Sequence, residues 1–212
     1  MANIQPELKR GAGILLPVSS LPSPYGIGTF GKAAYDFIDE LVRAGQSYWQ
    51  VLPVGPTSFG DSPYQSFSAF AGNPYFIDLD TLADDGLLDR DELNEIDWGS
   101  NADDVDYAKL YNNRYRILKK AYFAFLSSDD RKIKDRHGDF RQFREINSEW
   151  LNDYALFMAL KDRNNGKSWQ EWDDDIKFRK PEIVSYYKDL LKEQIDFYCF
   201  LQFEFYRQWT LL

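Results

Sequence analysis

A carboxylate, a hydroxyl and a phenol stand together in Gly60-Asp61-Ser62-Pro63-Tyr64, the opening of a run that continues Gln65-Ser66-Phe67-Ser68-Ala69-Phe70-Ala71-Gly72-Asn73-Pro74. Such side chains hydrogen-bond and stack, which is the chemistry of ligand recognition. Gly60, Pro63, Gly72 and Pro74 keep the run out of helices and sheet ladders. Phe67, Phe70 and Tyr75 carry enough apolar surface to pack it down. It follows the strand-like Tyr48-Trp49-Gln50-Val51-Leu52-Pro53, and a rigid loop beyond the C-terminal end of a strand is where parallel α/β folds keep binding groups.

Other chemistry is thinly supplied. One cysteine, Cys199, excludes an internal disulfide, and with one histidine, His137, a Cys/His zinc site is not available. Cys199 lies in an aromatic helical run and reads as a buried small hydrophobe, while His137 sits in the polar Arg131-Lys132-Ile133-Lys134-Asp135-Arg136-His137-Gly138. No metal or organic cofactor is implied. The 34 acids against 25 bases leave a net charge of −9, which disfavours nucleic acid and anionic membranes as partners and places no penalty on a neutral sugar polymer. Aromatic residues make up 17% of the chain, either as core or as stacking surfaces for ring ligands such as sugars. The first ten residues have no apolar signal segment, and no apolar run approaches the ~20 residues of a membrane helix, so a soluble cytoplasmic protein is expected.

The elements that must position the loop come early. Gly13-Ile14-Leu15-Leu16-Pro17 is continuous and apolar, the pattern of a strand buried on both faces. A Ser/Pro/Gly-rich loop leads to an amphipathic helix over 32–44, with Ala34, Phe37, Ile38, Leu41 and Val42 on one face and Gly45 as its terminator. A second strand over 48–54 completes a right-handed βαβ unit. Residues 75–79 read as extended, and 84–106 as short helices and turns. Helices are predicted over 107–126, with Leu110, Tyr111, Arg114, Ile117, Leu118, Ala121 and Phe125 on one stripe, over 140–163, and from 182 or 185 to 209. Residues 169–181 read as a Trp-rich polar linker.

Two parallel strands with no later strand-like run leave both sheet edges open, and a closed parallel barrel runs to roughly 250 residues. The pattern points to the amino-terminal piece of a larger α/β protein; a complete α+β domain with further strands is the alternative.

Three stretches resemble the amylomaltase family, the 4-α-glucanotransferases. They are Gly13-Ile-Leu-Leu-Pro-Val-Ser-Ser-Leu-Pro-Ser-Pro-Tyr-Gly-Ile-Gly-Thr-Phe-Gly31, then Tyr48-Trp-Gln-Val-Leu-Pro-Val-Gly-Pro-Thr57 leading through Gly60-Asp61-Ser62-Pro63-Tyr64-Gln65-Ser66 to Asn73-Pro74-Tyr75, and Trp150-Leu-Asn-Asp-Tyr-Ala-Leu-Phe-Met-Ala-Leu160 with Phe205-Tyr-Arg-Gln-Trp209. The similarity covers nearly the whole chain and corresponds to less than half of a family member. It implies an α/β fold, the first part of a (β/α)8 TIM barrel with an inserted mainly helical subdomain, the barrel being incomplete in this chain. Residues 1–81 would be the barrel start with its substrate loop, 82–181 the inserted subdomain, and 182–212 a barrel helix leading to a missing third strand.

The resemblance also implies transfer of an α-1,4-glucan segment, from maltodextrin or starch, to the 4-hydroxyl of glucose or another glucan by a retaining double displacement, in which paired carboxyl groups sit ~5–5.5 Å apart. The family's catalytic carboxylates lie on later strands, so no catalytic residue is assigned here; Asp84, Asp85, Asp103 and Asp104 read as solvated loop acids. Ser62 and Tyr64 match donor-side substrate positions, with Asp61 capping loop N–H groups. Phe59 and Tyr111 match a secondary glucan site, Phe59 standing where some members have tyrosine; Tyr111 reads equally as a core residue of its helix. Trp169 and Trp172 read as packing, or as lining a glucan path. An open sheet edge predicts self-association. A non-catalytic glucan-binding fragment, or a remnant without ligand, are the alternatives in function.

Overall fold

The computed structural model describes residues 10–57, 60–101, 103–128 and 138–212. The apolar run at the start forms β1 (Gly13–Leu15), which pairs in parallel with β2 (Tyr48–Gln50), Ile14 opposite Trp49. Between them runs α1 (Lys32–Arg43), closed by Gly45 at φ 70°, whose N–H reaches Val42 while that of Gln46 reaches Leu41. Trp49 ties the unit together: its ring meets Phe37 of α1 at 5.0 Å and its indole N–H donates to the Leu16 carbonyl at 2.8 Å.

Both strands are shorter than the sequence predicts, and β1 is not buried on two faces. Ile14 and Leu15 are 42% and 54% exposed, and Val42 on α1 is 70% exposed. Among the described residues the sheet has two strands only, so most of the surface that neighbouring strands and helices cover in a larger sheet faces solvent. The stretch expected to be extended after Pro74 is turned instead. Asn73 accepts from the Tyr75 N–H and starts a 3-10 turn (Pro74–Phe76), and Asp78 accepts from the Thr81 N–H and starts α2 (Leu79–Asp84). Two short acceptor side chains decide the local conformation there.

The helical remainder is built around one long element. After α3 (Arg90–Asn94) comes α4 (Tyr107–Ser127), which buries Leu110, Arg114, Ile117, Leu118 and Ala121 as its spacing predicts, but not Tyr111, which is 66% exposed. The helix predicted over 140–163 is broken into α5 (Phe140–Ile146) and α6 (Ser148–Arg163). Asn147 sits at the break, its side chain donating to the Phe143 carbonyl at 2.9 Å alongside its own N–H and accepting from the Trp150 indole at 3.1 Å. Residues 169–181, read as a polar linker, are mostly exposed but folded. A 3-10 turn (Trp169–Glu171) and α7 (Asp174–Lys177) bury Trp172 and Ile176, with Trp172 packed on Phe157 at 5.5 Å, while Trp169 is half exposed. The last predicted helix is α8 (Pro181–Leu190) and α9 (Lys192–Leu211), separated at Leu191.

α9 packs against α4, α5, α6, α8 and the Pro74–Phe76 turn and is buried along most of its length, polar Gln202, Glu204 and Gln208 included. Phe200 and Phe203 interlock with Phe125 and Phe140, and Cys199 is fully buried, which pushes its thiol up to about 11. Asp85, read as a solvated acid, is instead held by Arg207 of α9 at 2.8 Å with both side chains only 10% exposed. No described helix is long and apolar enough to cross a membrane.

Candidate functional site

The loop carrying Asp61, Ser62 and Tyr64 is closed at its neck, where the Asn73 N–H donates to the Val54 carbonyl at 2.8 Å. Inside it the serines supply the turn chemistry. Ser62 Oγ accepts from the Tyr64 N–H at 3.4 Å, and Ser68 Oγ accepts from the Ala71 N–H at 3.0 Å. The capping expected of Asp61 thus falls to its neighbours. Asp61 itself holds φ at 54° directly after Gly60 at 85°, a left-handed pair that turns the chain back on itself.

Aromatic side chains fasten the loop to the helical layer, as its composition predicts. Phe67 stacks on Tyr154 of α6 at 6.5 Å and 10°, and Phe70 stacks on Trp150 at 6.0 Å and 25°. From α9, Tyr206 donates its hydroxyl to the Phe70 carbonyl, and Gln202 grips Gly72 with both ends of its amide. Gly72 has to be glycine, because an added Cβ would lie 2.2 Å from the Phe205 ring. Arg114, fully buried in α4, donates one nitrogen to the carbonyls of Tyr75 and Ile77 and so fixes the chain just beyond the loop.

A rigid base therefore presents Tyr64 outward, 73% exposed. Beside it lies a cleft of ≈ 990 Å³ whose walls come from the loop, α4, α6 and α9. Gly60, Asp61 and Phe67 border it on the loop side, and Tyr107, Tyr111 and Tyr115 on the helix side; Ser62 and Tyr64 stand outside its lining. Of the two residues matched to a secondary site, Tyr111 lies on this wall, edge-on to Tyr115 at 6.3 Å, and Phe59 lies outside the described residues. Burial raises the Asp61 carboxyl, and burial followed by the nearby Asp61 charge raises the Tyr75 and Tyr107 phenols. The cleft thus offers stacking rings and hydroxyls that stay protonated near neutral pH.

The spacing of 107, 111 and 115 is a tyrosine stripe at i, i+4 and i+8 on one helix face, the sequence signal that the core reading of α4 absorbed. Asp162 of α6 had no comparable signal. It accepts the Tyr198 hydroxyl at 2.6 Å across 36 residues of chain. Its edge is open to the cleft, yet surrounding protein desolvates the carboxyl and raises its pKa, against the lowering effects of Tyr198, Lys119 and Lys161. A carboxyl raised in this way adds stability that is complete below the ordinary carboxylate pKa and is lost as pH rises through the raised value. Asp162→Asn removes that dependence. The stability of the variant relative to the unaltered chain is expected to increase with pH across the carboxylate range, read by thermal unfolding at about pH 3 to about pH 7. A difference flat with pH would show that the carboxyl is not perturbed.

The same fold is seen in the solved amylomaltase from Streptococcus agalactiae in complex with acarbose, with a TM-score of 0.87 and 43% identity, over 96% of this chain and 40% of that one. In sequence the chain is 53% identical over 195 residues to the 4-alpha-glucanotransferase of Clostridium butyricum, and 47% identical over 205 residues to that of Streptococcus pneumoniae, covering 92% and 96% of this chain. The family model described as 4-alpha-glucanotransferase matches residues 16–212, and the chain belongs to that family. It spans about 39% of the length of these two curated relatives.

Proposed function

We propose that the whole protein is a 4-alpha-glucanotransferase that passes a segment of an α-1,4-glucan, such as maltodextrin or starch, to the 4-hydroxyl of glucose or another glucan by a retaining double displacement in the cytoplasm. The observation that carries this reading is the family match across residues 16–212. The chain supplies substrate-holding surface, and the carboxylates that cut and re-form the bond belong to the remainder of the protein, in keeping with the 39% share of its relatives that it spans. On this reading β1 and β2 are the first strands of a (β/α)8 barrel, residues 82–181 form an inserted helical subdomain, and 182–212 return to the barrel. The exposure of Ile14, Leu15 and Val42 supports an uncompleted barrel and favours self-association through the open sheet.

Tyr64 is the principal substrate contact, because it is exposed on a fixed base and a phenol both stacks on a pyranose and hydrogen-bonds to it. Ser62 braces it, and Asp61 and Tyr111 hold glucan along the cleft with Phe59. Two assays of the purified chain test this. With maltotriose it should release no glucose and build no longer chains; turnover would overturn the placement of the catalytic groups outside residues 1–212. With maltoheptaose it should show a saturable fluorescence change that Tyr64→Ala weakens about tenfold, the loss of one good stacking and hydrogen-bonding contact. A flat titration would remove the glucan-holding role.

A further inference from the structure

The cleft extends beyond Tyr111 to a second set of groups: Tyr115 and Lys119 of α4, Asp162 of α6, and Gln194 and Tyr198 of α9. We propose that this inner part is a separate pocket for a neutral sugar unit, in which the Asp162 carboxylate accepts sugar hydroxyls and Tyr115 supplies a hydroxyl and a ring face. The proposal rests on the glucan reading given above.

The charge inventory argues for a neutral ligand. The cations near the pocket are already engaged, Lys119 with Glu193 at 3.5 Å, Lys161 with the Gly166 carbonyl at 3.0 Å, and Arg116 with Glu92 at 3.9 Å. Arg116 and Lys119 are thus ion-paired, whereas Lys161, whose carbonyl partner is neutral, keeps its charge and is offset by the Asp162 carboxylate near it. Asp162 is different. Its hydrogen-bond partner among the described residues is one neutral phenol, so it keeps a charged acceptor oxygen with unused capacity. The Tyr115 hydroxyl and the Gln194 amide make no hydrogen bond to any described residue. An acceptor with spare lone pairs, a hydroxyl that serves as donor or acceptor, and an amide that is both form a set complementary to sugar hydroxyls. Met158 and Phe197, both buried, give the cleft the apolar floor that suits the C–H face of a pyranose. The whole cleft, ≈ 990 Å³, is at the upper end of the ~300–1,000 Å³ usual for small-molecule sites.

The test is calorimetric titration of the full 212-residue chain with maltose, and with glucose and glucose 6-phosphate as a neutral and anionic pair. Asp162→Asn is expected to weaken maltose binding about tenfold, because it exchanges a charge-assisted acceptor for a neutral one. Tyr115→Phe, which deletes one hydroxyl and leaves the ring, is expected to weaken it severalfold without lowering the unfolding midpoint, so the proposal stays testable if the Asp162 variant folds poorly. Tyr64→Ala should leave this inner component in place. Maltose bound equally by the unaltered chain and both inner variants, but less by Tyr64→Ala, overturns the pocket and leaves the loop reading standing. Glucose 6-phosphate bound more tightly than glucose overturns the neutral class. No maltose bound by any form overturns the pocket and the loop reading together.

Discussion

Replacing Arg207 with Met is expected to destabilise the chain by about 3–5 kcal/mol, the cost of removing one partner from a buried ionic cluster. Arg207 of α9 holds Asp85 at 2.8 Å and Glu204 at 2.8 Å, and the three side chains are 10%, 10% and 0% exposed. Burial opposes the guanidinium charge, but the two carboxylates outweigh it and the net shift is upward. Without the arginine, two negative groups are left facing each other away from water. A folded domain of ordinary stability has about 5–15 kcal/mol to lose, so the variant should unfold far earlier in urea. The control is Lys32→Ala at the Lys32–Asp36 pair, whose side chains are 85% and 57% exposed and whose loss should change stability by less than about 1 kcal/mol. Equal effects of the two substitutions would sink the argument. Changing all three cluster members to apolar residues of similar volume should recover much of the loss, because what destabilises is buried negative charge that has lost its guanidinium and not the missing attraction.

This cluster also marks where sequence reading stops. Asp85 looked solvated because its neighbours are acidic and polar, and its partner lies 122 residues away. Nothing local reports that distance. By contrast α1 was legible to within a residue, because Ala34, Phe37, Ile38 and Leu41 repeat on one face and Gly45 stops the helix. The break at Asn147 was hidden for a related reason. The apolar stripe continues through it, and the Asn147 side chain adds its own bond to the Phe143 carbonyl, a contact the stripe does not report. The binding loop was recognisable from its glycines, prolines and aromatics, which act locally. The cleft next to it was not, because it exists only where a tyrosine stripe on α4 meets Asp162 and Tyr198 from two other helices. The burial expected for β1 failed in the opposite direction. The sequence pattern describes a strand inside a sheet larger than the one present among the described residues.

Gln202→Leu is expected to cost about 2–6 kcal/mol and to loosen the loop that carries Tyr64. The Gln202 amide accepts from the Gly72 N–H at 2.7 Å and donates to the Gly72 carbonyl at 3.0 Å, with its side chain fully buried. Leucine fills a similar volume but leaves both backbone groups without partners, at about 1–3 kcal/mol each. Water cannot replace the amide easily, because Gly72 sits against the Phe205 ring with no space for even one more carbon. Six residues further along α9 the same device recurs, with Gln208 accepting from the Asp78 N–H at 2.7 Å. The central helix thus holds both ends of the Gly72–Asp78 segment, and the loop before it inherits its position from α9. The consequence is testable at two levels. Urea unfolding should report the lost stability, and amide hydrogen exchange in residues 66–72 should quicken more than exchange in the middle of α4. Maltoheptaose affinity should fall in parallel, since Tyr64 loses its fixed base. If exchange quickens evenly across the chain, Gln202 serves general stability alone. If the loop quickens and the affinity holds, Tyr64 does not depend on the clamp for its placement.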